Sequence, residues 1–314
     1  MGKYALRRLA QMIPVLFIVS IIVFSIIHLI PGDPAKIMAG SNATPEQVAA
    51  LRREYGLDQP LWLQYFVWLG NVFRGNLGNS LVNGFPVNVL LWQRIPATVE
   101  LALAAAIVGA VIALPLGIIS ALRPGSLIDF ATTLFSALSF AVPGFWLAIL
   151  LILLFSLQFK LLPPSGRPEF SEQPVEHLKS LIMPALTLGI AMAAKLTRYL
   201  RSSMLDTLGQ DYTRTARAKG LTEQVVVLRH VLRNSLIPVI TVFGLQIGDL
   251  LSGAIIIESI FAWPGVGRLT IQAIGWRDYA ILQASVMFIV LAFLLVNLVT
   301  DLAYGFINPR IRYN

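Results

Sequence analysis

The chain is 314 residues long, 56% hydrophobic and only 13% charged, with a mean hydropathy of +0.74 and a formal net charge of +8. Average soluble domains carry ~25% charged residues and disordered chains lack such hydrophobicity, so a water-soluble enzyme and a disordered segment are both excluded. With no cysteine, a disulfide framework, a thiolate metal site and a cysteine nucleophile are excluded as well.

A helix rises about 1.5 Å per residue against ~30 Å of hydrocarbon, so about 20 apolar residues suffice for one crossing. Behind Lys3, Arg7 and Arg8, the first span is expected at 9–30, where Leu9 to Ile30 gives 22 residues without Asp, Glu, Lys or Arg. That run is too long for the apolar part of a signal peptide and no A-x-A cleavage site goes with it, so a retained helix is expected. Residues 31–96 follow as an outside excursion. Its signals are the Pro31-Gly32-Asp33-Pro34 turn and a polar helix from Thr44 to Tyr55 ended by Gly56, and it is expected to cap the bundle.

The second span is expected at 97–122 and the third at 130–159, the latter 30 uncharged residues from Phe130 to Phe159. Pro163 to Pro174 reads as an irregular outside loop. The fourth span, 180–200, has 15 uncharged residues before Lys195 and is expected to continue as a charged helix beyond the membrane. A polar loop, 211–234, leads to a fifth span at 235–257, an outside loop at 258–278 and a sixth span at 279–306. The runs are continuous and do not alternate with period two, so the expected fold is all-α, a single polytopic domain of six transmembrane helices.

With the N-terminus in the cytoplasm, fourteen Lys and Arg fall on the cytoplasmic side and ten outside, which favours both termini inside. The basic charge then reflects topology in a lipid bilayer, and no nucleic-acid partner is expected. The chain contains no P-loop, H-E-x-x-H, G-x-S-x-G or G-x-G-x-x-G pattern, and His28, His177 and His230 lie on separate segments without ligand spacing. No catalytic residue, bound metal or cofactor is expected in this chain, so any energy input comes from a partner or an ion gradient.

The most informative stretch runs from Asp211 to Pro238. Asp211 is placed to cap a short helix over Tyr212 to Lys219, with Arg217 and Lys219 in its last turn and Gly220 suited to a left-handed exit. Thr222 then caps a second helix, with Glu223 in its first turn and Val225, Leu228, Val231 and Leu232 at helical spacing until Pro238 opens the fifth span. Two helices lying across the cytoplasmic face are expected. The first is too short to be stable alone and needs something to dock against. A soluble partner and an anionic lipid surface both fit it.

Ala216-Arg217-Ala218-Lys219-Gly220, with His230 and Leu232 further on, resembles the loop by which permease subunits of bacterial ABC importers dock onto their ATPases, most closely in the dipeptide, oligopeptide and nickel branch. The resemblance extends along the chain: Arg7-Arg8 before the first span, Pro96-Ala97-Thr98-Val99-Glu100-Leu101 entering the second, Trp263-Pro264-Gly265-Val266-Gly267-Arg268 after the fifth, Arg277-Asp278-Tyr279 before the sixth and Asn308-Pro309-Arg310 at the end. Where the wider family has Glu-Ala-Ala, this chain has Arg214, Thr215 and Ala216; His230 and Arg233 stand at later Ile and Pro positions. The resemblance implies a type I importer permease in the inner membrane. Its partners would be a homologous second permease, two cytoplasmic ATP-binding subunits that carry ATP and Mg, and an extracytoplasmic substrate-binding protein. It further implies that Arg214, Thr215, Ala216, Arg217, Ala218, Lys219, Gly220 and Leu221 form the coupling helix, and that the cargo is a small peptide, a nickel or other metal chelate, or glutathione.

Pro14, Pro115, Pro143 and Pro184 fall inside apolar runs, as hinges or as fixed kinks. Gly244 and Gly248 form a G-x-x-x-G that fits either the partner permease or packing within the chain. Asp249 is the one acid inside a span. A carboxylate there costs ~2.5–3.5 kcal/mol on insertion scales, so it is expected either to line the translocation path or to bond a neighbouring helix. An ion-coupled carrier or channel would need more such groups, and a membrane enzyme would need paired catalytic residues. Trp263 and Trp276 are expected as interfacial anchors.

Overall fold

Each long apolar run becomes a long helix in the computed structural model, which describes residues 2–29, 34–39, 43–54 and 56–307. In chain order these are α1 (Gly2–Leu29), α2 (Pro34–Ala39), α3 (Pro45–Glu54), α4 (Leu61–Phe73), α5 (Val87–Leu122), α6 (Leu127–Ala141) and α7 (Gly144–Leu151). There follow α8 (Pro174–Leu208), α9 (Asp211–Ala218), α10 (Glu223–Val225), α11 (Arg233–Ile260), α12 (Val266–Trp276) and α13 (Tyr279–Ile307). The turn at Pro31-Gly32-Asp33 and the Asn308-Pro309-Arg310 motif lie outside the described residues. Five described helices are long and apolar enough to cross a membrane, and the bent pair α6–α7 makes six.

The expected third span, 130–159, is not one rod. The chain bends by 104° between its two limbs, because Val142 is driven out of the helical region by the proline after it and Pro143 offers no N–H to continue the ladder. The second limb ends in a π-helical stretch, Ile152–Gln158. The pair still passes from one end of the bundle to the other. Asp129 at its start is bonded to Arg201 near the end of α8, while the chain after it is bonded to Glu100 and Phe261 at the opposite end.

Other spans are longer than the hydropathy runs. The second begins at Val87 and carries Pro96 and Pro115 inside it, and the fourth is a single helix, α8, that runs on through its charged part to Leu208. The fifth continues without a break from Glu223 to Ile260, with a π-helical stretch at Val226–Leu232 and Pro238 in its interior. The second helix expected across the cytoplasmic face is therefore the leading end of a span. Residues 258–278 are not a simple loop either, since α12 folds back and buries Leu269 and Ala273 against α5, α11 and α13.

The core lies between α5 and α8. Ala97, Leu101, Ala105, Ala113 and Ala121 recur at multiples of four along α5 and are all buried, which gives α8 a shallow groove. At Gly189 of α8 a Cβ would meet Val108 and the carbonyl of Ala105, so the backbones approach as closely as only glycine allows. Gly244 and Gly248 of the G-x-x-x-G face Thr300 and Phe293 of α13, which places that motif in packing within the chain.

Residues 31–96 were expected above the bundle, yet α4 lies along the side of α1. Tyr65 is buried there, bonded to the Ser20 hydroxyl at 2.8 Å and ringed by Phe17 and Phe24. The outer face of α4, with Trp62, Phe66 and Phe73, is exposed and apolar. At the end of the bundle that carries α9, Arg8 of α1 and Asp301 of α13 pair at 3.2 Å, so both of those helix ends share that side.

Candidate functional site

The end of the bundle marked by α9 is built from hydroxyls that tie three segments together. The Thr213 hydroxyl donates to the Thr207 carbonyl at 2.9 Å, and Ser235 bonds the Thr207 hydroxyl at 3.0 Å. Ser203 donates to the Ser235 carbonyl at 3.0 Å. Thr213 and Ala216 are buried against this cluster together with Val226, Val227 and Val231. A two-turn helix with little intrinsic stability is thereby fixed to the last turns of α8 and the first turns of the rod that becomes α11.

Local capping differs from the expectation. Gln210 occupies the N-cap position in an extended conformation, and Asp211 is the first helical residue, where its charge favours the helix N-terminus without a capping bond. Thr222 does hold the N-cap position of α10, through its carbonyl and not its side chain. Gly220 follows Lys219 with φ of +79°, the left-handed exit that a Cβ disfavours, and its N–H closes on the Arg217 carbonyl at 2.9 Å. Arg217 then bonds Glu223 across the bend, and that bond raises its guanidinium above the ordinary arginine value.

The result is a protruding knob. Arg214, Thr215, Arg217, Ala218, Lys219, Gly220 and Leu221 are exposed on it, whereas Ala216 faces inward. Its tip presents Ala218, Leu221, Val225 and Leu228 among the cations Arg214, Lys219 and Arg229.

Asp249 is placed on the flank that α11 shares with α8. Lys195 reaches it at 3.3 Å and the Gln246 side chain at 3.0 Å, so the expected bond to a neighbouring helix is present. The carboxylate nonetheless remains largely exposed in this single chain, at 59%. It is therefore not a buried acid.

Glu258, which the hydropathy profile put in an outside loop, is buried, as are Asp129 and Asp278. Glu258 is fully buried, accepts from the Thr98 hydroxyl at 2.6 Å and from the backbone N–H of Arg268 at 3.0 Å, and so clasps the start of α12 to α5. Beside it Trp263 is buried too, its indole N–H donating to the Ala97 carbonyl at 2.8 Å, which corrects its expected role as an interfacial anchor. Glu100 receives Arg167 at 2.6 Å and also bonds His177, whose other ring nitrogen meets the Pro168 carbonyl. These bonds pin the Pro-rich loop onto α5 and α8.

A second polar cluster missed in the sequence is Asp129 with Arg201, a two-pronged pair at 2.6 and 2.7 Å that also takes in Ser120 and the Gly125 N–H. Nothing local in the sequence joins residues so far apart. The only signal was an acid or cation at the edge of each apolar run. Among the described residues no cluster of His, Asp and Glu is placed to hold a metal ion.

A polytopic bundle with an exposed basic knob at one end and polar clasps at the other defines a multi-pass membrane protein built to be held from one side. The chain belongs to the family of binding-protein-dependent transport system inner membrane components, whose model matches residues 113–313, with the corresponding N-terminal model matching residues 1–102. It is 40% identical over 337 residues to the dipeptide transport system permease protein DppB of Escherichia coli strain K12, covering 100% of this chain and 99% of that protein. It is equally 40% identical over 313 residues to the glutathione transport system permease protein GsiC of the same strain, covering all of both chains. Among solved structures, an inward-facing MetNI methionine ABC transporter aligns with a TM-score of 0.57 at 17% identity, over 70% of this chain and 96% of that one, which shows a shared fold. The protein is thus a multi-pass inner-membrane permease subunit of an ABC importer, with the type I permease fold.

Proposed function

We propose that this permease, paired with a homologous second permease, encloses the path by which an ATP-driven importer takes up small peptides. Two ATP-binding subunits, which carry ATP and Mg, act on the pair from the cytoplasm, where both termini also lie, and the knob formed by residues 214–221 is the docking point that this chain offers them. An extracytoplasmic binding protein delivers the solute to the opposite face, and Asp249 with Lys195 lines the way between. The single observation that carries this reading is the attachment of α9. Thr213, Ser235, Ser203 and Thr207 join the knob to two spans at once, so a pull on it moves α8 and α11 as bodies instead of unwinding a loop. Glutathione is the second reading, favoured by the 40% identity to a glutathione permease over its full length.

The test is uptake into proteoliposomes that contain the chain with its second permease, ATPases and binding protein. Labelled dipeptide, or labelled glutathione on the second reading, should accumulate only with ATP inside the cytoplasmic compartment and only with all subunits present. Uptake by this chain alone, or uptake that ignores ATP, would overturn the proposal.

A further inference from the structure

Three cations stand on one face of α8. Lys195, Arg198 and Arg201 are spaced by three, and side chains at that spacing share a helix surface. Two of them are matched: Lys195 by Asp249, and Arg201 by Asp129, which occupies its Nε and Nη2. Arg198 has no acidic partner among the described residues. Its guanidinium lies 5.5 Å from the ring of Phe140 on α6, a stacking contact that orients the group and leaves its N–H edges free to donate.

Arg198, exposed in this single chain, forms part of the wall of a cavity of about 360 Å³ between α6 and α8, together with Thr132, Thr197, Arg201 and Ser202. The Thr197 hydroxyl there is buried and has no hydrogen-bond partner. A second cavity of about 500 Å³ adjoins it through Arg198 and Ser202 and extends toward Lys195. The Thr197 hydroxyl is enclosed beside the cavity, whereas the Arg198 guanidinium is exposed and has no acid to answer it, so a negatively charged acceptor at the cavity would complete its donor set.

We propose that this cavity is a binding site for an oxyanion and that its ligand is a carboxylate of the transported solute. The proposal deepens the importer reading above and rests on it for the identity of the solute. Planar carboxylates suit the fork of a guanidinium, and Thr132 and Ser202 on the cavity wall bring hydroxyls close to it. Peptides and glutathione both carry such a group. Depth argues for the solute over a lipid phosphate. Ser136 on the cavity wall stands seven residues along α6 from Asp129, roughly 10 Å further into the bundle.

The absence of native cysteine allows a direct test. Ser202→Cys in the full complex, held in phosphatidylcholine nanodiscs, is labelled with an anionic and a cationic methanethiosulfonate reagent of similar size. The anionic reagent should be favoured by about tenfold relative to the Ser202→Cys, Arg198→Gln double variant, and Arg198→Lys should keep most of that preference. A free-acid tripeptide should slow the labelling while its C-terminal amide does not. A preference that is the same with and without Arg198, or equal protection by acid and amide, would overturn the site. Protection by added phosphatidylglycerol but not by the peptide would assign the site to a lipid headgroup and overturn the solute assignment. Labelling needs no turnover. A complex that shows the preference and the protection yet moves nothing on ATP contradicts the importer reading and leaves the oxyanion site standing.

Discussion

Arg217 and Glu223 clasp hands across Gly220, Nη2 to Oε1 at 2.6 Å and Nε to Oε2 at 3.0 Å, and close the only bend between α9 and the rod that becomes the fifth span. The pair is solvent-exposed, so its value is geometric: it fixes the angle at which Ala218 and Leu221 are presented. Glu223→Arg should therefore leave insertion intact and lower uptake by several-fold, because like charges would then spread the bend. The exchange Arg217→Glu with Glu223→Arg should restore most of the loss. Uptake and ATP hydrolysis by the reconstituted complex are the measurements.

Gly220→Val isolates backbone conformation from packing. No atom stands within 4 Å of the position a Cβ would take, so the side chain meets open space, but φ of +79° costs a β-branched residue ~1–2 kcal/mol. The variant is expected to reach the membrane in normal amount and to hydrolyse ATP without matching uptake. Comparing transported solute per ATP in the two proteins checks it.

The G-x-x-x-G motif gives a stability prediction of opposite character. At Gly244 a Cβ would fall within the Thr300 side chain, whereas at Gly253 it would make an ordinary 3.4 Å contact with Leu188. Gly244→Val should force α11 from α13 and destabilise the fold by ~1–3 kcal/mol, while Gly253→Ala should be near neutral. Melting temperatures in detergent separate the two.

Much of this architecture was legible in the sequence because hydropathy and helix length are nearly the same physical quantity in a bilayer. The number of spans, the interrupting proline at Pro143 and the glycine exit at Gly220 all follow from local rules. What escaped depends on distance in three dimensions. Pro143 signalled a broken ladder, but the 104° bend between its limbs is set by packing. The Leu61–Phe73 segment reads locally as part of an outside excursion, whereas in the fold Tyr65 bonds Ser20 on α1. Glu258 and Thr98 lie 160 residues apart, and a hydropathy window registers the acid as the edge of a span while the fold makes it the centre of a clasp. The same reason hid the orphaned Thr197 and unpaired Arg198, since being unpaired is a property of the assembled bundle.

The Glu258 clasp is itself testable. Glu258→Ala would strand the Thr98 hydroxyl and the Arg268 N–H inside the protein, a loss of about 2–3 kcal/mol, and Glu258→Gln, which keeps an acceptor, should lose less. Trp263→Phe keeps the ring in its pocket and removes only the bond to the Ala97 carbonyl, at a cost of about 1 kcal/mol. The order Ala, then Gln, then Phe, from most to least destabilised, is expected in thermal unfolding of the purified complex.

The account turns on the side of the membrane that α9 faces and on what covers it there. Leu221→Cys, the sole thiol in a chain without native cysteine, would be exposed to a membrane-impermeant maleimide in right-side-out and in inverted vesicles. Labelling is expected only in inverted vesicles, and it should fall sharply when the ATP-binding subunits are restored. Labelling from the outside, or labelling that the ATP-binding subunits leave unchanged, would contradict the claim that this knob is the point at which the transporter is driven.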